Sequence, residues 1–273
     1  MLSHGMNDGE VTMTSDRWRI GRPRLAAALV LGIALMQSAV ASAERITVLC
    51  SNGFKAVLQE VAPQFEKTTK HEVAISYSVS AELRRRIEGG ERFDVAILTP
   101  GLIDEMIKGG HISAKSRAVL ARSPMAIAIR RGAPKPDVRT VDALKSSLLA
   151  SKSIAFAKEG SGGVYLMGLL KRLGLIEQMT PKFKPVTTGD DVSQAVSRGE
   201  AELGVLPLSE ILPVPGVELA GAFPADVQDY SVMVGGVSVS ADQRTAVKAL
   251  LAFLTSSGIN PVIEKKGMER GKR

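Results

Sequence analysis

RITVLCSNGFKAVLQEVAPQFEKTTKHEVAISYSVSAELRRRIEGGERFDVAIL, residues 45–98, is the stretch on which the fold turns. Arg45–Cys50 reads as a short buried strand. From Phe54 to Thr68, Val57, Leu58, Val61, Ala62 and Phe65 share one helical stripe, with Pro63 expected to interrupt or kink it. Glu72–Tyr77 is a second strand, Ala81–Ile87 a helix and Phe93–Leu98 a third strand, followed by a short helix over Leu102–Lys108. This βαβαβα order, with brief Gly-, Ser- and Thr-rich junctions, predicts a parallel α/β sheet.

A second round follows. Met125–Arg130 is an apolar strand ended by Gly132-Ala133-Pro134-Lys135-Pro136. Val141–Leu149 reads as a helix, Ser153–Phe156 as a strand, and Val164–Leu173 as a helix that Gly174 can cap. Phe183–Val186, a helix over Asp191–Arg198 and the strand Leu203–Leu206 complete the set. Ser231–Val239 is strand-like although two glycines weaken it, Ala241–Leu254 is a helix, and Ile259–Lys265 closes the chain. Two similar α/β sets, parting near Ser123 and rejoining near Ser231, point to two lobes. Pattern alone leaves a single doubly wound sheet equally open.

Before Arg45 lies an export pattern. Arg17, Arg19, Arg22 and Arg24 precede the apolar run Leu25–Met36, and Ala41-Ser42-Ala43 supplies the small residues a signal peptidase needs. The apolar run is too short to span a bilayer comfortably. The expectation is a signal peptide over residues 1–43, with Met13 as a more ordinary start, and a mature protein free in the periplasm. Pro23 separates Arg22 from Arg24, so no adjacent Arg-Arg pair of the twin-arginine kind is formed.

The chain carries 35 basic and 28 acidic residues, a moderate excess spread along its length, with three Tyr and one Trp available for stacking. A nucleic-acid binder would concentrate its charge on one face, so that class is set aside. An acidic small ligand is compatible with the balance. The single cysteine, Cys50, excludes an internal disulfide and any Cys-x-x-Cys redox or metal motif.

In open α/β units, ligands bind at the C-terminal ends of the strands. Three such junctions are Ser51-Asn52-Gly53, Ser78-Val79-Ser80 and Thr99-Pro100-Gly101, each leading into a helix whose first N–H groups can donate to an anion. Ser, Thr and Asn are also ordinary helix caps. In the second half, Lys158-Glu159-Gly160-Ser161-Gly162-Gly163 opens a helix and has neither P-loop nor dinucleotide spacing. Lys158 can pair with a ligand oxyanion, stay in solvent or pair with Glu159, and Tyr165 can sit at the rim or pack. Catalytic patterns are sparse: His71 and His111 look like surface helix ends, and Asp94 reads as a structural hydrogen-bonding carboxylate. No HExxH, GxSxG or metal cluster occurs.

Five segments together resemble the periplasmic molybdate-binding-protein-like family, a branch of the type II solute-binding proteins. They are SNGFKAVLQEVAPQFEKTTKHEV, YSVSAELRRRIEGGERFDVAI, MAIAIRRGAPKPDVRTVDAL, EGSGGVYLMGLLKRLGL and VSQAVSRGEAELGVLPLSEIL. The resemblance implies a two-lobed α/β fold of the type II periplasmic-binding-protein kind, with a central ligand cleft and two hinge strands. Lobe 1 is expected over 44–123 plus 236–273 and lobe 2 over 124–235. It further implies a monomeric receptor for a small anion, oxyanion or organic carboxylate, that feeds an inner-membrane ABC permease without cofactor or metal.

The family's binding positions fall on Asn52, Ser80, Ser161-Gly162-Gly163 and the Asp191-Val192 loop. Pro207 stands where the family has a tyrosine and offers neither hydroxyl nor N–H. With Asn52 replacing a serine, the site departs from a molybdate receptor's. Ser51, Asn52, Ser80, Thr99, Lys158, Ser161, Gly162, Gly163, Val192 and Pro207 are the expected ligand-binding set. The broad family also includes a periplasmic aconitate isomerase, which keeps a cofactor-free isomerase as the alternative.

Overall fold

The computed structural model describes residues 43–271. The leader expected over 1–43, with its alternative start at Met13, lies outside the described residues apart from Ala43.

The opening alternation folds as β1 (Arg45–Ser51), α1 (Asn52–Thr69), β2 (Glu72–Ser78), α2 (Ser80–Glu88), β3 (Val95–Leu98) and α3 (Pro100–Lys108). The expected apolar stripe of α1 is buried, and the helix runs on through Pro63, whose ring lies on the exposed side. It ends only at Lys70, whose left-handed backbone (φ 65°) turns its N–H to the Glu66 carbonyl. β1 pairs in parallel with both β2 and β3. Phe93 and Asp94 fall short of the strand. The Asp94 carboxylate is structural, accepting from the Thr47 N–H at 2.8 Å and from Arg244 Nη1 at 2.6 Å.

β4 (Ala118–Arg130) is more than twice the expected length. The chain continues through α4 (Val141–Ala150), β5 (Ile154–Ala157), α5 (Ser161–Leu173), α6 (Ile176–Met179), β6 (Phe183–Val186) and α7 (Gly189–Ser197). It then forms β7 (Leu203–Pro207), α8 (Leu208–Ile211), β8 (Val217–Ala222), β9 (Tyr230–Val237), α9 (Thr245–Thr255) and α10 (Asn260–Lys265). Gly174 caps α5 with a positive φ, as expected.

The strand order is β2-β1-β3-β9-β4-β7-β5-β6, with β8 also on β4. The parallel expectation holds for β1 with β2 and β3, and β5 likewise runs parallel to β6 and β7, but the sheet as a whole is mixed. β9 lies antiparallel between β3 and β4, and β7 and β8 both run antiparallel to β4. The glycines that weaken β9 as a strand have a packing reason, since a Cβ on Gly236 would sit 2.6 Å from the Ile112 side chain.

β4 and β9 are the two long strands that serve both halves. The first part of β4 pairs with β9 and its last part with β7 and β8. The buried side chains divide in the same way. One group draws on residues 46–121 together with 233–268, the other on residues 125–217 together with Phe223. α9 begins later than expected because residues 239–241 form a 3₁₀ turn and Arg244 precedes the helix. Arg244 holds Glu44 at 2.9 Å as well as Asp94, fastening the residue before β1 to the start of α9.

Candidate functional site

A cavity of about 490 Å³ lies where strands from both halves end. Ser51 and Asn52 reach it from the end of β1, Ser80 from the start of α2, and Thr99 from the end of β3. Gly160, Ser161 and Gly162 come from the start of α5, while Leu206 and Pro207 come from the end of β7. The helices α1, α2, α3 and α5 all begin here, and none has its first turn capped by a side-chain hydrogen bond. In contrast, Thr140 caps α4, and Thr188 forms a reciprocal capping box with Asp191 on α7. Four helix starts thus keep N–H donors for an anion, with the positive ends of their dipoles behind them.

Seven of the ten residues picked out from sequence line this cavity: Ser51, Asn52, Ser80, Thr99, Ser161, Gly162 and Pro207. Three stand outside its wall. Lys158 is exposed, with its own N–H on the Val186 carbonyl. Gly163 faces the sheet, where a Cβ would lie 2.1 Å from the Ala157 carbonyl oxygen. Val192 is a fully buried core side chain. Gly162 has a double part, since it lines the cavity while a Cβ on it would approach the Val205 carbonyl oxygen to 2.5 Å.

Tyr165 both lines the cavity and packs. Its ring stands edge-on to Phe223 at 5.0 Å, its hydroxyl donates to the Val227 carbonyl, and burial pushes its pKa up. Burial also raises the pKa of the Cys50 thiol, which lies in the core of the first half.

The sequence reading missed three charged groups in the wall, Arg172, Glu210 and Asp229, the last accepting from the Tyr230 N–H at 2.7 Å. Arg172 lies on the helix face that already carries Ser161, Tyr165 and Gly168. That spacing of four, three and four residues was visible in the sequence. Glu210, just past Pro207 on α8, is the second. It is partly buried beside Gly189, where an added Cβ would fall 1.7 Å from its Oε2. Among the described residues its carboxylate enters no hydrogen bond or ion pair. Burial raises its pKa from 4.5 to about 7, Asp190 adds to the rise, and Lys55 opposes it.

The two halves also touch at the rim. Lys55 Nζ of α1 meets Asp190 of α7 at 2.6 Å, and Arg85 of α2 meets Glu159 beside α5 at 2.9 Å. Deeper in, Ser209 Oγ donates to the Gly53 carbonyl and Ser123 Oγ accepts from the Ser209 N–H.

A cleft at strand ends, lined by uncapped helix starts from two half-sheets, defines a solute-binding fold. Residues 46–269 match the family model described as bacterial extracellular solute-binding protein, and the chain belongs to that family. It is 33% identical to an aconitate isomerase of Pseudomonas sp over 90% of this chain and 97% of the relative. To molybdate-binding protein ModA of Escherichia coli (strain K12) it is 26% identical over 89% of this chain and 96% of the relative. The periplasmic molybdate-binding protein of Azotobacter vinelandii superposes with a TM-score of 0.72 at 18% identity, covering 83% of this chain and 100% of that one. The fold is therefore the type II periplasmic-binding-protein fold, and the protein is a periplasmic solute-binding protein of the molybdate-binding-protein-like branch.

Proposed function

We propose that the cleft takes a small organic polycarboxylate, which the protein as a monomer delivers to an inner-membrane ABC permease. The observation that carries this reading is the cavity itself. Its volume of about 490 Å³ lies in the range of sites for organic ligands and exceeds what a tetrahedral oxyanion fills. The wall fits an organic anion. Hydroxyls and helix N–H groups at Ser51, Asn52, Ser80 and Ser161 meet carboxylate oxygens, Arg172 provides a bidentate clamp, and Leu102, Val205 and Leu206 face the carbon skeleton. Pro207, without a donor, suits a carbon skeleton better than an oxyanion. The binding set is Ser51, Asn52, Ser80, Thr99, Ser161, Gly162, Pro207 and Arg172.

In this reading lobe 1 comprises residues 44–123 plus 236–273 and lobe 2 residues 124–235. β4 and β9 act as the hinge, and the ligand favours closure to the extent that it binds the closed form better. The second reading is an isomerase that moves a double bond along such a ligand. The 33% identical aconitate isomerase and the Glu210 carboxyl in the wall favour it, because an allylic shift needs an acid–base group beside the substrate.

A thermal-shift screen of the chain from Glu44 tests both. The panel holds molybdate, tungstate, sulfate, phosphate, citrate, and cis- and trans-aconitate, and binding raises the melting temperature by linkage. A shift with carboxylates alone is expected, and a shift with tetrahedral oxyanions alone refutes the reading. Incubation with cis- or trans-aconitate, followed by chromatography, separates receptor from isomerase.

A further inference from the structure

We infer that Glu210 takes up a proton from solvent when the anionic ligand enters the cleft, so that ligand and proton bind as one. The inference rests on the polycarboxylate reading above and adds a residue that determines its specificity.

The geometry leaves Glu210 little alternative. Its carboxyl forms part of the wall that the ligand must touch, together with Gly189 and Pro207. Gly189 clears the space the carboxyl occupies, and among the described residues no donor satisfies its oxygens. The charged groups acting on it are Asp190 from α7 and Lys55 from α1. α8 also packs on β4, β7 and β8, and these strands bring no further charge to bear on it. Lys55 is already held by Asp190 at 2.6 Å, which blunts the cation that, among the described residues, acts to keep Glu210 ionised.

In the empty cleft Glu210 titrates near neutrality, at about 7. A ligand carrying two or three carboxylates adds like charge beside it, which disfavours the ionised form further. Once protonated, the carboxyl changes from a repelling anion to an O–H donor for a ligand carboxylate oxygen. The balance is simple: one proton leaves bulk water, one O–H forms on Glu210, and nothing is oxidised or reduced. A dianion that cannot reach the O–H, or a neutral analogue, gains nothing from it.

The test is isothermal titration of trans-aconitate, citrate and cis-aconitate into the chain from Glu44 at pH 6 and pH 8. Each titration is run in two buffers that differ in ionisation enthalpy. At pH 8 the buffer dependence should report close to one proton taken up per ligand, with little uptake at pH 6. Affinity should fall towards tenfold per pH unit above neutrality. In Glu210→Gln both the uptake and the pH slope should vanish. Asp190→Asn, which lowers the negative charge facing Glu210 and frees Lys55, should shift the midpoint of the slope to lower pH. Binding without proton uptake, or uptake that persists in Glu210→Gln, overturns the inference and leaves the polycarboxylate reading standing. Absence of heat with all three compounds at both pH values defeats that reading and, with it, the inference.

Discussion

Replacing Gly163 by alanine places a Cβ 2.1 Å from the Ala157 carbonyl oxygen, 3.0 Å from its carbon and 3.1 Å from the Phe156 ring. Real Cβ atoms essentially never come closer than 3.0 Å to another heavy atom, so α5 and β5 would have to part by about 0.9 Å. The partner is backbone at the end of β5, held in the turn to Gly160, not the movable end of a side chain. Leu166, Leu169 and Leu170 on α5 are fully buried in the same core and would be pulled from their contacts. Overpacking of this kind costs about 1–3 kcal/mol, and the better helix propensity of alanine returns up to about 1 kcal/mol. The net expectation is a loss of about 2 kcal/mol, a fall in melting temperature of about 4–8 °C for a domain of this size. Gly168→Ala is the control. It lies on the same helix, and its added Cβ meets only Arg172 Nη1, at 3.7 Å, so it should be neutral or slightly stabilising. Thermal and urea melts of both variants decide the matter. If Gly163→Ala melts with Gly168→Ala, the glycine is not required by packing and the assignment of Gly163 to the helix–sheet contact is wrong.

Other expectations can be read on the same preparations. Asp94→Ala leaves the Thr47 N–H without its partner and Arg244 with only Glu44 and the Arg45 carbonyl, and should cost about 2–3 kcal/mol in urea unfolding. Glu210 is a carboxyl whose folded pKa, about 7, lies above the 4.5 it would have unfolded, so the folded state holds the extra proton between those values. Its contribution is fully present below about pH 4.5 and is lost as pH rises through about 7, a swing of about 3 kcal/mol. Unfolding free energies measured from pH 5 to 8 should show this decline, and Glu210→Gln should flatten it. Arg172→Ala removes a charge-assisted contact and should weaken polycarboxylate binding about 10- to 100-fold by titration calorimetry, with little change in melting temperature.

The fold was legible wherever burial alternates along the chain, as in β1 to α3 and β5 to β7. It was not legible where a strand's partners are distant in sequence. The front of β4, AVLARSP, reads as broken, because Arg122, Ser123 and Pro124 separate Ala118–Ala121 from the apolar run at Met125. Its Arg122 lies over the Tyr230 ring at 4.2 Å and pairs with Glu269. Its buried Ser123 is satisfied by the Gly267 carbonyl and the Ser209 N–H. Every one of those partners is more than 80 residues away, so no local pattern announces them. β8, VELAGA, reads weakly because its side chains are mostly only half-buried.

The site divides on the same principle. Ser51, Asn52, Ser80 and Thr99 were legible because the end of a strand and the start of a helix are written locally, and topology then turns those ends toward the cleft. Lys158 sits beside a glycine run that does reach the cavity, but the tight turn from Ala157 to Gly160 leaves its side chain in solvent. Glu210 is the opposite case. Nothing within VLPLSE sets its burial. That comes from the missing side chain at Gly189 and the charges of Asp190 and Lys55, which the fold gathers from two other helices. A carboxyl placed by three separate elements against an anion-binding wall is invisible to motif reading. It is also the feature by which this cleft departs from a set of hydroxyl and N–H donors built for an oxyanion. Pro207 removes a donor at the end of β7, and Glu210, three residues on, adds a group whose charge depends on pH. The two changes together favour a carbon-based ligand that meets an apolar wall and a protonated carboxyl at once.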